Sequence, residues 1–131
     1  MKGVSELHCF SEKELAIFRE ATDIVSLLPE NDSTGECLRC HEVARVVGEL
    51  LNLEVIDGRY EYGAEHSWCV ITQVTKFRSF SILDPYAIGR IPIVQMYYIA
   101  PTIPNRYFPE ARRKDIKTDV VEDLLKWFRS K

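Results

Sequence analysis

Three short segments of the sequence carry the residue types that thiol-based acyl transfer requires: Gly35-Glu36-Cys37, Glu65-His66-Ser67-Trp68 and Ile82-Leu83-Asp84-Pro85. A cysteine thiol becomes a nucleophile when its pKa is lowered, and a helix N-terminus lowers it because the unpaired N–H groups and the helix dipole favour the thiolate. An imidazole stabilises that thiolate and protonates the leaving group, while a carboxylate orients the imidazole. The segments therefore predict Cys37 as the nucleophile, with His66 and Asp84 in the other two roles if their strands pair.

The residues around Cys37 predict two helices joined by a loop. A capping-box pattern at Ser11 and apolar residues at helical spacing predict a first helix over 11–28. Turn-forming residues over 30–35 predict a loop. A broad apolar face over 36–51 then predicts a mostly buried helix with Cys37 in its first turn.

The residues after the second helix have the composition of β-strands. Segments rich in β-branched and aromatic residues, separated by polar or glycine-bearing turns, predict three strands and a further extended segment at 53–56, 67–72, 77–83 and 91–99. Prolines then exclude regular structure through about residue 112, and an amphipathic pattern over 120–128 predicts a closing helix. Because helices and strands are segregated along the chain, the predicted class is α+β with antiparallel strands.

Taken together, the motifs resemble the core of the transglutaminase-like superfamily, a branch of the papain-like cysteine enzymes. The resemblance covers roughly residues 30–90 and rests on four motifs in the family's order: Gly35-Glu36-Cys37, Leu51-Asn52-Leu53, His66-Ser67-Trp68 and Leu83-Asp84-Pro85. It implies a papain-like core in which the nucleophilic cysteine begins a buried helix that packs on an antiparallel sheet.

The resemblance also implies a role for individual residues. Cys37 would be the nucleophile, His66 the general base and acid, and Asp84 the residue that orients His66. Trp68 would shield the imidazole–carboxylate pair from water. The backbone N–H of Cys37 is the natural first donor to an oxyanion, and Asn31 is the candidate second donor, because papain-like enzymes often place an amide side chain shortly before the nucleophile.

Two metal-dependent interpretations compete with the thiol nucleophile. The string Cys37-Leu38-Arg39-Cys40-His41 matches the attachment motif of c-type haem, but such haem is attached outside the cytosol and the sequence shows no export signal. A zinc site would use Cys37, Cys40, His66 and Cys69. His66 and Cys69, however, are three residues apart in a strand pattern and so point to opposite faces of a sheet.

The remaining thiols have a simpler explanation. Cys9, Cys40 and Cys69 are predicted to be small buried hydrophobes that contribute to packing. His41 follows the cysteine pair on the same helix and is a rival base, which ranks second because a histidine from another strand can approach the thiol end-on.

Composition limits the class of protein and its partners. The 131 residues, 46% of them apolar, predict a single domain over 1–131. A net charge of −3 argues against nucleic-acid binding, no apolar run approaches the roughly 18 residues of a membrane span, and the lack of a signal-peptide pattern makes the cytoplasm the expected compartment. The predicted function is thiol-dependent acyl transfer or amide hydrolysis on a peptide or protein substrate, without a cofactor. A zinc-stabilised or catalytically inactive peptide-binding module is the alternative.

Overall fold

The computed structural model describes residues 10–61, 63–74, 76, 78–86, 93–102 and 105–131. Over these residues the chain forms three helices and one five-stranded antiparallel sheet, which confirms the predicted α+β class. The elements are α1 (Glu12–Ser26), α2 (Cys40–Leu51), β1 (Glu54–Tyr60), β2 (Ala64–Val74), β3 (Ser79–Asp84), β4 (Gln95–Ile99), β5 (Tyr107–Pro109) and α3 (Thr118–Arg129). No helix in this part of the chain has both the length and the apolarity to cross a membrane.

Helix α1 begins where the sequence predicts it. The Ser11 hydroxyl accepts the N–H of Glu14 at 3.1 Å, and the Glu14 carboxylate accepts the N–H of Ser11 at 2.9 Å. These reciprocal hydrogen bonds satisfy N–H groups that the start of a helix leaves without partners. The predicted capping box is therefore confirmed.

The strand order of the sheet is β4-β3-β2-β1-β5, so β2 lies at its centre. Strands β2 and β3 pair antiparallel with Cys69 opposite Leu83. Because antiparallel strands run in opposite directions, the start of β2 and the end of β3 lie at the same end of the sheet. The structure thus confirms the strand pairing on which the contact between His66 and Asp84 depends.

The two faces of the sheet have different coverings, since successive side chains of a strand point to opposite faces. The helices cover one face, and the fully buried members of that core include Val43, Ala44, Val46, Val47, Cys69, Leu83 and Met96. A smaller cluster of Trp68, Ile82 and Tyr107 lies on the other face. Helix α2 is mostly buried, as its apolar face predicts.

Strand β5 contradicts the prediction that the proline-rich segment has no regular structure. It pairs with β1 at an edge of the sheet, where a proline such as Pro109 is tolerated because only one side of the strand needs hydrogen bonds. Gly58 permits the close approach, because a Cβ at that position would lie 2.1 Å from the carbonyl oxygen of Phe108. This pairing places the buried Tyr107 against Trp68 and Ile82, on the face of the sheet away from the helices.

Helix α2 begins at Cys40, whereas the sequence predicts a helix from residue 36. Arg39 is the N-cap residue and has an extended backbone, with φ −99° and ψ 154°. The predicted placement of Cys37 in the first helical turn is therefore wrong. Cys40 occupies that turn, and Cys37 lies in the preceding loop.

The loop over 30–38 is held by its own hydrogen bonds, which explains the late start of α2. Asp32 accepts the N–H groups of Thr34 and Glu36 at 2.8 and 3.1 Å. Two longer connections close the loop: a β-bridge between Asn31 and Cys37, and a hydrogen bond from the N–H of Leu38 to the carbonyl of Glu30. The bridge requires an extended backbone at Cys37, and the Glu36 carbonyl accepts the N–H of Asp32, so residues 36–37 cannot form the first turn of a helix.

Candidate active site

The structure brings His66 and Asp84 into direct contact. Nε2 of His66 donates a hydrogen bond of 2.7 Å to Oδ2 of Asp84, and the two residues are only 5% and 1% exposed. A carboxylate in this position fixes the orientation of the imidazole and determines which nitrogen carries the proton. Because Nε2 is bound to Asp84, Nδ1 is the ring nitrogen left to face a reacting group.

Asp84 accepts two further hydrogen bonds. The phenol of Tyr107 donates to Oδ2 at 2.8 Å, and the backbone N–H of Tyr86 donates to Oδ1 at 3.3 Å. Burial and the adjacent Asp84 carboxylate both raise the pKa of Tyr107, so its phenol stays protonated and acts as a donor. Sequence analysis missed Tyr107, which reaches the site only through the unpredicted strand β5.

The thiol beside His66 belongs to Cys40. Burial raises the pKa of the Cys40 thiol, but hydrogen bonding and charge from His41 and His66 outweigh this effect, and the resulting pKa is about 6. Burial also opposes protonation of His66, yet Asp84 and then Cys40 raise the pKa of His66 to about 9. Between these two pH values the site holds a thiolate beside an imidazolium. Cys40 has an added advantage as a nucleophile because it is the first residue of α2, where N–H groups lack partners within the helix.

Cys37, the predicted nucleophile, is exposed and lies in the loop before α2. It lines a cavity of about 330 Å³ together with Leu28, Pro29, Glu30, Asn31, Leu38 and Tyr86. Asn31, the predicted second oxyanion donor, is exposed and pairs with Cys37 through the β-bridge of this loop. Tyr86 connects the cavity with the site, because it lines the cavity and its backbone N–H donates to Asp84.

Aromatic rings cover the His66–Asp84 pair on the sheet face away from the helices. Trp68 is only 2% exposed and stacks near His66, with ring centroids 6.2 Å apart and an interplanar angle of 25°. Tyr107 packs edge-on against Trp68 and tilted against His66. Trp68 therefore lies beside the His66–Asp84 pair, in the position from which the predicted shielding from water would act.

A second buried polar network lies between α2 and the sheet, and sequence analysis missed it. Nδ1 of His41 lies 2.7 Å from Oγ of Ser67, and that hydroxyl donates to Asp57 at 2.6 Å. Arg45 donates twice to the Asp57 carboxylate, at 3.0 and 2.6 Å. Burial opposes ionisation of Asp57, but Arg45 and Ser67 hold the pKa of this carboxyl well below its usual range.

The four residues of the alternative zinc set do not converge. Cys69 is fully buried against α2, its thiol donates to the carbonyl of Ala44 at 3.4 Å, and burial raises its pKa strongly. The packing role predicted for Cys69 is thus confirmed, whereas Cys40 is only half-buried and lies beside His66. Cys9 lies outside the described residues. Within the described part of the chain, no group of three or more His, Cys, Asp or Glu side chains could hold a metal ion.

No protein-family model matches this chain, and neither does any curated protein or solved structure. The function must therefore be argued from the side chains of the site themselves, because a fold class alone does not define an activity.

Proposed function

We propose that the protein is a thiol-dependent acyltransferase or amide hydrolase in which Cys40 is the nucleophile. His66 is its general acid and base, and Asp84 orients His66. The observation that carries the proposal is the Cys40 thiol in the first turn of α2, beside an imidazole whose other nitrogen is bound to a buried carboxylate. The role that the sequence assigned to Cys37 moves to Cys40, because the helix begins three residues later than predicted.

The arrangement supports a two-step acyl transfer. The Cys40 thiolate attacks an amide carbonyl, and Nδ1 of the His66 imidazolium gives its proton to the departing amine, which leaves a thioester. Water or a second amine then attacks the thioester, His66 accepts the proton of that nucleophile, and the thiolate returns. Water as the acceptor gives hydrolysis, and an amine gives crosslinking or transfer.

Negative charge on the tetrahedral oxygen requires hydrogen-bond donors close to the sulfur. The backbone N–H of Cys40 belongs to the first turn of α2, where the N–H groups have no acceptor within the helix. It takes the place of the Cys37 N–H among the predicted donors. The substrate would be a peptide or protein, and the cavity beside Cys37 and Tyr86 has room for a side chain next to the scissile bond.

The proposal extends to the fold. A thiol at the start of a buried helix, a histidine on the central strand and an aspartate at the end of the next strand follow the order of the transglutaminase-like, papain-related core. The architecture of the described residues agrees with that core at the level of an α+β fold with an antiparallel sheet.

The test is the pH dependence of alkylation by iodoacetamide, with the modified cysteine identified by peptide mass spectrometry. We expect Cys40 to react at pH 6.5, where an ordinary thiol with a pKa near 8.5 is only about 1% ionised. Cys40→Ala should abolish the fast reaction, and His66→Gln should shift it to higher pH. Cys37→Ala is the matched control and should leave the fast reaction intact.

Turnover would be measured with a peptide mixture and hydroxylamine, which converts a thioester into a hydroxamate. Peptide cleavage or hydroxamate formation that disappears in Cys40→Ala would support acyl transfer. Alkylation of all thiols alike near pH 8.5 would contradict the proposal. A reactive Cys40 that binds peptides and never turns them over would favour the alternative of a non-catalytic binding module.

A further inference from the structure

His41 lies directly against the sulfur of Cys40, yet the proposed acyl transfer gives it no role. Its ring is buried, and Nδ1 and Nε2 lie 3.7 and 4.0 Å from the Cys40 sulfur. Two similar distances mean that the ring lies alongside the sulfur instead of pointing one nitrogen at it. The ring therefore limits the position of the sulfur, and its hydrogen bonding and charge help to lower the pKa of Cys40.

The hydrogen bonds of Ser67 determine where the His41 ring carries its proton. A serine hydroxyl has one proton, and Ser67 gives it to the Asp57 carboxylate, which only accepts. The Ser67 oxygen must then accept from His41, so Nδ1 of His41 carries a hydrogen and donates it over 2.7 Å. The chain Asp57–Ser67–His41 thus fixes both the tautomer and the plane of this ring.

Arg45 keeps this chain rigid from both ends. One of its guanidinium nitrogens bonds to the backbone carbonyl of His41 at 3.0 Å and to Asp57 at 3.0 Å, and another bonds to Asp57 at 2.6 Å. The N–H of Arg113 also donates to Asp57 at 3.0 Å. Rotating His41 away from Cys40 would break its hydrogen bond to the fully buried Ser67 hydroxyl, which is costly.

We propose that His41 is a second positioning residue for the Cys40 thiolate, held in place by Ser67 and Asp57 and acting together with His66. The proposal deepens the proposed function and rests on it. The sulfur is then flanked by two imidazoles with different supports: a carboxylate holds His66 directly, and a neutral hydroxyl holds His41. The charged and titratable groups that face this pair are Arg45 from α2, Asp57 from β1, Glu65 and His66 from β2, Asp84 from β3, and Tyr86 and Arg113 from the segments that follow.

Two substitutions separate the imidazole of His41 from its support. His41→Asn keeps an amide N–H close to the place of Nδ1, so the hydrogen bond to Ser67 can persist while the rest of the ring is removed. Ser67→Ala leaves the ring and removes the hydroxyl that orients it. Ser81→Ala is the matched control, because Ser81 is also buried but lies on β3 opposite Thr72 and hydrogen bonds with Glu14.

The measurement is the midpoint of the pH–rate profile for Cys40 alkylation by iodoacetamide, together with thermal unfolding of each variant. We expect His41→Asn to raise the midpoint by about one pH unit, which makes alkylation at pH 6, close to the wild-type midpoint, about fivefold slower. Ser67→Ala should raise the midpoint by a smaller amount, and Ser81→Ala should not move it. A purely structural role would lower the unfolding temperature and leave the midpoint of the folded protein unchanged.

His66→Gln, measured in parallel, separates failure of this inference from failure of the proposed function. A low wild-type midpoint that rises in His66→Gln but stays at the wild-type value in both His41→Asn and Ser67→Ala would overturn the role of His41 and leave the proposed function standing. A wild-type midpoint near 8.5 would overturn both. If His41→Asn does not fold, the midpoint of Ser67→Ala decides, since that change removes a single hydroxyl.

Discussion

Two buried aspartates, Asp84 and Asp57, end the two hydrogen-bonded chains that meet at Cys40. Asp84 bonds directly to the His66 imidazole, and within the described residues His66 is its only ion-pair partner. Asp57 reaches His41 through the Ser67 hydroxyl and is paired with the Arg45 guanidinium. Both are buried aspartates, but the carboxylate charge of Asp84 interacts with an imidazole and that of Asp57 with a guanidinium.

The difference shows how one fold uses the same side chain for chemistry and for stability. The charge of Asp84 acts on an imidazole and raises the pKa of His66 to about 9, despite burial, so the charge is available to the site. The charge of Asp57 is matched by Arg45, which holds α2 against β1. We therefore expect loss of the Asp57 charge to lower stability more than loss of the Asp84 charge does, and loss of the Asp84 charge to change the thiol chemistry more than loss of the Asp57 charge does.

The largest effect should come from Asp57→Asn. Removing one partner of a buried ion pair leaves Arg45 without a counter-charge, and such changes cost about 3–5 kcal/mol of unfolding free energy. Urea unfolding at pH 7 measures the loss. The matched control is Asp115→Asn, because Asp115 also pairs with arginines but is exposed, so its loss should cost far less than the loss of Asp57. Equal losses in the two variants would contradict the structural role of Asp57.

Acid should reduce the advantage of the wild type over Asp57→Asn. The pKa of Asp57 is lowered in the folded protein from an ordinary value of 3.8, so its contribution is complete above that value and is lost as the pH falls through the lower folded pKa. We expect the difference in unfolding free energy between the two proteins to be constant from pH 7 to 5 and to shrink below about pH 4. A difference that stays constant down to pH 2.5 would show that Arg45 does not depend on the Asp57 charge.

Asp84→Asn should change the site more than the stability. An amide cannot supply the charge that holds the proton on His66, so the pKa of His66 should fall from about 9 by at least one unit. The loss of the imidazolium should in turn raise the pKa of Cys40 from about 6. Histidine NMR titration and iodoacetamide kinetics measure the two shifts. Asp57→Asn, where it folds, should leave the His66 titration close to the wild type, and a shift as large as that of Asp84→Asn would erase the distinction between the two carboxylates.

The sequence predicts the part of the site that depends on local patterns. His66 lies in a strand pattern and Asp84 at the end of the next, and antiparallel pairing of adjacent strands is enough to bring them together. The capping box at Ser11 is equally local and equally correct. The motif pattern, however, predicts Cys37 as the nucleophile and gives Cys40 a packing role, whereas the thiol beside His66 in the structure is that of Cys40.

The start of α2 depends on contacts that periodicity does not contain. The buried apolar positions of the helix become regular only from Val43, so the pattern fits a start at 36 or at 40. The bridge from Asn31 to Cys37 and the hydrogen bonds around Asp32 select the later start. One feature of the sequence favours the start at Cys40: Glu42 is then an acidic residue in the first turn, where a negative charge stabilises a helix, and Arg39 donates to its carboxylate.

Strand β5 and the Asp57 network require knowledge of strand register. Asp57 and Ser67 are directly opposite each other on β1 and β2, a relation that appears only once the pairing is fixed. Tyr107 lies in the three-residue strand β5, which pairs with β1 although the two strands are far apart in the sequence. Such short, non-local pairings leave no period in the sequence to detect.

Tyr107→Phe should give the smallest effect. It separates the contribution of the Asp84 charge from that of the hydrogen bond that Tyr107 donates to this carboxylate. The change removes one hydrogen bond to a buried carboxylate and keeps the ring packing, so we expect a loss of about 1–2 kcal/mol in unfolding free energy. Its effect on His66 should be opposite in sign to that of Asp84→Asn. With one donor fewer, the carboxylate charge acts more strongly on the imidazolium, and the pKa of His66 should stay near 9 or rise slightly.

Tyr97→Phe is the control for this last prediction, because the Tyr97 phenol donates to Gln95 and its ring packs against Tyr107 without bonding Asp84. Histidine NMR titration of both variants and the wild type should give three values for His66 that differ by less than half a unit, with Tyr107→Phe the highest. A His66 pKa that falls in Tyr107→Phe as far as in Asp84→Asn would mean that the phenol, and not the carboxylate charge, keeps the imidazole protonated. The contrast between Asp84 and Asp57 would then lie in their hydrogen-bond donors, and Tyr107 would join His66 as a residue on which the thiolate depends.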